Sequence, residues 1–190
     1  MNGFQREDLS FSLCGLNCAL CPMELGGHCP GCGGGEGNQP CAIARCSLEH
    51  GAVLYCWQCA GFPCERSRGD EPYDSFITHL HRRADLERCR DMGPAAYGRE
   101  LAEKRAILSA LLAGYNDGRR KSLYCLAVNL LPLDDLRQVM KHLALLPPDL
   151  TVKERAAQAA GLLQACAREN GVELKLRRKP KGPAETGVSF

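Results

Sequence analysis

Ten of the thirteen cysteines in the chain lie between residues 14 and 64, in closely spaced pairs and triplets. Thiolates are soft ligands that select zinc, iron–sulfur clusters or copper(I). A two-residue spacer, which occurs three times in this stretch, lets two thiolates reach one ion. We therefore predict that the metal ligands are Cys14, Cys18, Cys21, Cys29, Cys32, Cys41, Cys46, Cys56, Cys59 and Cys64.

The number of cysteines bounds the number of metal ions. Structural zinc takes four ligands in a closed tetrahedron, so ten cysteines fill two sites and leave two thiols over. Adding His28 and His50 gives enough ligands for three sites, although we favour a non-ligand role for both histidines. We predict two or three zinc ions. Spacing alone does not tell which cysteines share an ion, because sequential and interleaved pairings both satisfy it.

The same cysteines also admit other chemistries. An iron–sulfur cluster is the alternative cofactor, and a zinc-thiolate switch that releases metal on oxidation is a related redox function. The spacing Cys14-x3-Cys18-x2-Cys21 also occurs in radical S-adenosylmethionine enzymes, but those need a large β/α barrel, and helical patterns follow here. A second alternative is an enzyme with an open zinc position. No His-Glu motif of zinc hydrolases is present, so the sequence leans against an enzyme, and we predict no catalytic residue.

A disulfide framework is the competing explanation of clustered cysteines. The odd cysteine total, the two-residue spacers and the lack of a secretory signal near residue 1 count against it. No run approaches the roughly 20 apolar residues of a membrane span. We therefore expect a cytoplasmic protein with no membrane partner, in a compartment that keeps thiols reduced.

Large apolar residues are scarce among the clustered cysteines and regular after them. We predict a small, irregular, metal-stabilised, cysteine-rich domain of zinc-ribbon or knuckle type at residues 11–68, after a leader at 1–10. An all-α helical unit of about five helices follows at 70–170, and a short strand and a basic mobile tail occupy 171–190. Single cysteines in the helical stripes are expected to be small buried side chains, namely Cys89, Cys125 and Cys166.

Local signals divide the helical unit. An apolar stripe from Tyr73 to Cys89 predicts the first helix, and Gly93-Pro94 ends it and starts the second. Pro132 opens the fourth helix, and Thr151-x2-Glu154 forms a capping box for the fifth. Alternation of Val172, Leu174 and Leu176 predicts the short strand.

Charge bears on the partners that are expected. The whole chain carries a net charge of only +2, and the stretch from residue 14 to 64 carries −2 before any metal-thiolate charge is added. Nucleic acid is therefore an unlikely partner of the cysteine-rich domain. The tail from residue 173 onward carries +3 and admits a weak contact with nucleic acid. We expect a protein partner, which the sequence does not identify.

The cysteine motifs resemble a prokaryotic cysteine-rich family catalogued as domain of unknown function 3795. The resemblance covers residues of about 11–95. It implies a small, cytosolic, zinc-binding protein without an established activity, and a metal-ligand role for the ten clustered cysteines. The motifs that carry the resemblance are Cys14-Gly15-Leu16-Asn17-Cys18 with Cys21-Pro22, then Cys29-Pro30-Gly31-Cys32, Cys41-Ala42-Ile43-x2-Cys46 and Cys56-x2-Cys59-x-Gly61-Phe62-Pro63-Cys64-Glu65.

Overall fold

The computed structural model describes residues 3–35, 41–69 and 71–180. Across these residues it is mostly helical, with seven α-helices and no β-strand. The helices are α1 (Pro22–Leu25), α2 (Ala42–Glu49), α3 (Arg82–Met92), α4 (Pro94–Gly114), α5 (Lys121–Leu130), α6 (Leu133–Ala144) and α7 (Val152–Glu169). Three short 3-10 turns lie at Cys18–Leu20, Cys56–Gln58 and Glu65–Ser67.

The cysteine-rich half is irregular, as predicted. Within residues 3–35 and 41–69 only α1 and α2 are α-helical, and they have four and eight residues. Helices this short are marginal by themselves because the first turn orders several residues for one hydrogen bond. Their positions therefore depend on packing and on whatever the cysteines hold.

Five α-helices, α3 to α7, lie in the region for which the sequence predicts about five. Gly93 takes a φ of +83° and Pro94 occupies the first turn of α4, so the chain turns sharply between α3 and α4. The capping box of α7 is also present, because Thr151 Oγ1 accepts a hydrogen bond from Glu154 N at 3.3 Å and donates to Glu154 Oε2 at 2.7 Å. Among the described helices, none combines the length and the apolar character needed to cross a membrane.

One hydrophobic core joins the two halves. Fully buried side chains from α4 to α7, such as Leu108 and Leu163, form most of it. Phe11, Leu20 and Tyr55 of the cysteine-rich half belong to the same core. A separate small cluster lies within the cysteine-rich half around Phe4, Leu13, Cys32 and Ala44. Much of the apolar surface of the cysteine-rich half is therefore buried against the helices.

The first predicted helix starts later than its apolar stripe indicates. Residues 71–81 are not helical, and α3 begins only at Arg82. Asp74 explains the difference. Its Oδ1 accepts a hydrogen bond from His79 N at 2.8 Å and forms an ion pair with Arg177 Nη2 at 2.7 Å. Phe76 and Leu80 are left exposed by this arrangement. Tertiary contacts thus override the local helical pattern.

The predicted strand at residues 172–176 is wrong. Val172 N donates to Ala167 O at 2.8 Å, which closes the end of α7, and no described segment pairs with residues 173–176 in a ladder. A lone strand cannot satisfy its backbone groups. Residues 181–190 of the predicted basic tail lie outside the described residues.

Candidate metal centres

The structure divides the ten clustered cysteines between two cavities. The larger, which we call the six-cysteine cavity, has a volume of about 260 Å³, and its cysteines are Cys14, Cys18, Cys21, Cys29, Cys32 and Cys41. The smaller, the four-cysteine cavity, has a volume of about 30 Å³, and its cysteines are Cys46, Cys56, Cys59 and Cys64. No cysteine lines both cavities. All thirteen cysteines of the chain are free thiols.

Tight turns present the paired cysteines. Cys18 and Cys21 flank a 3-10 turn in which Cys21 N donates to Cys18 O at 2.9 Å. Cys56 and Cys59 flank a second turn of the same kind, with a 3.1 Å hydrogen bond between the corresponding atoms. A two-residue spacer in a 3-10 turn brings the two side chains to one side of the backbone. The sequence motif is thus expressed as the same local geometry in both cavities.

Helix α2 separates two neighbouring cysteines of the sequence. Cys41 is the N-cap residue of α2, and its sulfur accepts a hydrogen bond from Ala44 N at 3.5 Å. Cys46 lies further along the same helix. Because the two residues occupy different turns, Cys41 lines the six-cysteine cavity and Cys46 lines the four-cysteine cavity.

The donor atoms fit zinc in type and number, but they do not form a coordination polyhedron. Across residues 3–35, 41–69 and 71–180, no group of three or more Cys, His, Asp or Glu side chains is placed to hold a metal ion. The structure therefore brings the thiols to the walls of two cavities without converging their sulfur atoms. Metal ligation by these residues stays a prediction.

Burial controls the protonation of the thiols. It raises the pKa of Cys56 to about 12 and also raises the pKa values of Cys14 and Cys18. The guanidinium of Arg82 opposes this shift at Cys14 and Cys56. Arg82 is itself buried and forms an ion pair with Glu71 at 2.5 Å. Thiols in these cavities must lose protons when they bind a metal, so binding is coupled to pH.

Both histidines that the sequence analysis set aside lie at the cavities. His50 Nδ1 is 3.6 Å from the sulfur of Cys46 and 2.8 Å from Cys46 O, and His50 lines the four-cysteine cavity. His28 lines the six-cysteine cavity. The four-residue spacing of Cys46 and His50 at the end of a helix was the local signal for the first of these placements.

Arginines hold two of the acidic residues near the cysteines. Glu24 lines the six-cysteine cavity and forms an ion pair with Arg105, which also donates to Ala19 O. Glu65 forms an ion pair with Arg68 at 2.8 Å. Both of these carboxylates are therefore engaged as partners of cations.

Cys64 differs from the other clustered cysteines in its exposure. It is the exposed member of the set and precedes the 3-10 turn Glu65–Ser67. Burial raises the pKa of Cys64, but hydrogen bonds from Ser67 and Arg66 and the charge of Arg66 together lower it overall. By contrast, Cys89, Cys125 and Cys166 are buried among the helices, which confirms the prediction for these three.

No protein-family model, curated protein or solved structure matches the chain. The resemblance described above therefore stays a prediction that rests on the cysteine motifs.

Proposed function

We propose that the chain is a zinc-binding cytosolic protein whose metal centres are structural or regulatory. The observation that carries the proposal is the division of the ten clustered cysteines into a set of four and a set of six around separate cavities. The resemblance of the cysteine motifs to the cysteine-rich family implies the same function.

The four-cysteine cavity matches one structural zinc. Four thiolates complete a closed tetrahedral site, and the small volume of about 30 Å³ leaves little room for anything besides an ion. Such a site contributes on the order of 10–16 kcal/mol of apparent folding free energy at neutral pH. Its ligands would be Cys46, Cys56, Cys59 and Cys64, with His50 beside Cys46.

The six-cysteine cavity favours a larger centre. One tetrahedral zinc uses four thiolates, so six donors around about 260 Å³ admit two zinc ions that share sulfur ligands. Its size and donor number also suit an iron–sulfur cluster, the second candidate. In that case the protein would be a redox protein, and the cavity would supply cysteine ligands and shielding from solvent.

An interaction function is supported by the segment next to this cavity. Ser75, Phe76 and Ile77 line the six-cysteine cavity from residues 71–81. The same segment exposes Tyr73, Phe76 and Leu80 to solvent, with 65% of Phe76 accessible. A metal in the cavity would fix the segment that carries these apolar side chains. We propose a protein partner at this surface, because aromatic side chains are enriched at protein interfaces.

Metal stoichiometry tests the proposal. Full-length protein purified anaerobically should contain two or three zinc ions per chain and show no visible absorbance. The double variant Cys59→Ser/Cys64→Ser should lose one zinc, and Cys29→Ser/Cys32→Ser should lose the metal of the other cavity. Cys166→Ser is the matched control, since Cys166 is a buried residue of α7 that lines neither cavity, and it should retain every ion.

Two results would contradict zinc binding through separate centres. Iron with a matching amount of sulfide and a brown absorption spectrum would show that the protein binds an iron–sulfur cluster instead of zinc. Equal loss of all metal from both double variants would show that the ten thiols serve one joint centre.

A further inference from the structure

A polar cleft lies on the helical half, apart from the cysteines. It is bounded by α3, α4 and the junction of α5 and α6, and its volume is about 570 Å³. Charged and amide side chains from all of these elements reach it, including His81, Asp85, Arg88, Lys104, Asn129 and Arg137. These residues are far apart in sequence and form no local motif.

A buried hydrogen-bond network fixes one side of the cleft. Asn17 Nδ2 donates to Asp85 Oδ2 at 2.9 Å and to Asn129 Oδ1 at 3.1 Å. Tyr97 Oη donates in turn to Asn17 Oδ1 at 2.8 Å. All four side chains are buried. The hydrogen bond from Asn17 therefore orients the carboxylate of Asp85 before any ligand enters. Such preorganisation favours binding.

Lys104 is the second feature of the cleft. The residue is only 7% exposed, and its Nζ donates to Leu131 O at 2.9 Å. Among the ion pairs of the described residues, none includes Lys104. An ammonium group carries three donors, so this contact leaves donor capacity toward the cleft. Burying such a charge is costly unless it is paired and hydrogen-bonded.

Asp85 is the third feature of the cleft, a buried carboxyl group with a weak ion pair. The residue is 8% exposed, and within the part of the chain that the structure describes its one ion pair is a long contact of 3.5 Å with Arg88. Burial raises the pKa of Asp85, and burial lowers the pKa of Lys104, although each charge opposes the shift of the other. The cleft thus holds one buried cation and one buried carboxyl group, with no ion pair between them in the described residues.

The two arginines of the cleft are already neutralised. Arg88 binds both oxygens of Glu100, at 2.8 and 2.7 Å. Arg137 binds Glu103 through two parallel hydrogen bonds, from Nε to Oε1 at 2.7 Å and from Nη2 to Oε2 at 2.6 Å, and also contacts Asp134 at 2.6 Å. A phosphate or another polyanion would have to displace these pairs, so the arrangement favours a ligand with a single anionic group.

We infer that this cleft binds a small monocarboxylic acid that carries a hydroxyl or amino group beside the carboxylate. Lys104 would bind the carboxylate, and Asp85 would accept a hydrogen bond from the neighbouring hydroxyl or amino group. Leu133 and Asp134 of the first turn of α6 line the same end of the cleft. This turn already carries the carboxylates of Asp134 and Asp135, so Lys104 is the group that binds the carboxylate of the ligand.

The ligand side of this inference is tested on the wild-type protein. Amide spectra of ¹⁵N-labelled full-length protein would be recorded during titration with lactate, alanine, propionate and lactamide. Lactate or alanine should give saturable shifts at Leu131, Leu133 and Asp134. Propionate lacks the donor and lactamide lacks the charge, so each should bind roughly tenfold or more weakly, as expected for loss of a hydrogen bond to a charged group. The stronger of lactate and alanine identifies a hydroxy acid or an amino acid.

Substitutions test the residues. Lys104→Met and Asp85→Asn should abolish the saturable shifts, while the exposed-residue controls Lys153→Met and Asp149→Asn should bind as the wild type does. If either cleft variant fails to fold, the comparison of the four ligands decides by itself. Shifts of equal size with propionate, shifts at amides away from the cleft, or none at millimolar lactate and alanine would overturn the inference. Unchanged binding by folded Asp85→Asn would assign Asp85 a purely structural role.

Discussion

At the scale of single residues, Gly15 is a position where the two halves pack closely against each other. It lies next to Cys14, takes a φ of +99°, and packs against the start of α3. A Cβ atom at this position would lie 2.1 Å from Arg82 O. Both the backbone conformation and the space therefore require glycine.

Gly15→Ala should destabilise the protein by about 3 kcal/mol, because it combines an unfavourable φ with a backbone clash. For a chain of this length the thermal midpoint should fall by roughly 6–12 °C. Gly98→Ala is the control, since nothing lies within 4 Å of a Cβ there and the residue is inside α4. That change should be neutral or stabilise by up to about 1 kcal/mol. Equal midpoints for the two variants would refute the packing argument.

At the scale of elements, helix α7 begins where local chemistry dictates. Thr151 and Glu154 satisfy backbone and side-chain groups at the start of α7. Helix α7 contributes Ala159, Leu163 and Cys166 to the shared core. Its first turn therefore supports a packing face as well as its own hydrogen bonds.

Thr151→Ala removes this cap and should cost about 1 kcal/mol. The thermal midpoint should fall by roughly 2–4 °C, measured by the far-ultraviolet circular dichroism of the helices. Gln158→Ala changes an exposed residue of the same helix and should stay within about 0.5 kcal/mol of the wild type. A midpoint for Thr151→Ala that matches the control would show that the cap contributes nothing.

At the scale of the whole molecule, the cysteine-rich half is held by the shared core and, on our proposal, by metal. Trp57 is the only tryptophan of the chain and stacks on Tyr55 at a centroid distance of 5.9 Å. It therefore reports on the half that contains the two cysteine-lined cavities, whereas helical circular dichroism reports mainly on α3 to α7.

Removal of metal by a chelator in reducing buffer should red-shift the tryptophan emission. Without bound metal the cysteine-rich half is less stable, and Trp57 becomes more exposed to water. The helical signal should persist at low temperature, and its thermal midpoint should fall, since Phe11 and Leu20 no longer complete the core. Elemental analysis of the same sample confirms the removal. Emission and midpoint that stay unchanged in metal-free protein would show that the fold does not depend on metal.

Signals in the sequence predicted the helical half well because they are local. Gly93-Pro94, Pro132 and the Thr151–Glu154 box act on adjacent turns, and each lies at an observed helix end. The start of α3 was misplaced because the Asp74–Arg177 contact joins residues 103 positions apart. No periodic pattern carries information about such a partner.

The candidate sites show the same limit. Cysteine spacing identified ten candidate ligands but did not predict how they divide. In the structure, Cys41 lines one cavity and Cys46 the other, because a turn of α2 lies between them. The polar cleft could not be predicted at all. Asn17, Asp85, Lys104 and Asn129 come from four separate segments and meet only when the helices pack.

Asn17 stands between the two candidate sites. It immediately precedes Cys18 of the six-cysteine cavity, and its amide holds Asp85 and Asn129 at the cleft. Any rearrangement around Cys18 would therefore reach the cleft through one side chain. Thermodynamic linkage is reciprocal, so a metal ion and a cleft ligand that both act on Asn17 must change each other's affinity by the same factor. If both sites are occupied as proposed, this protein would sense a small metabolite and a metal as one coupled input.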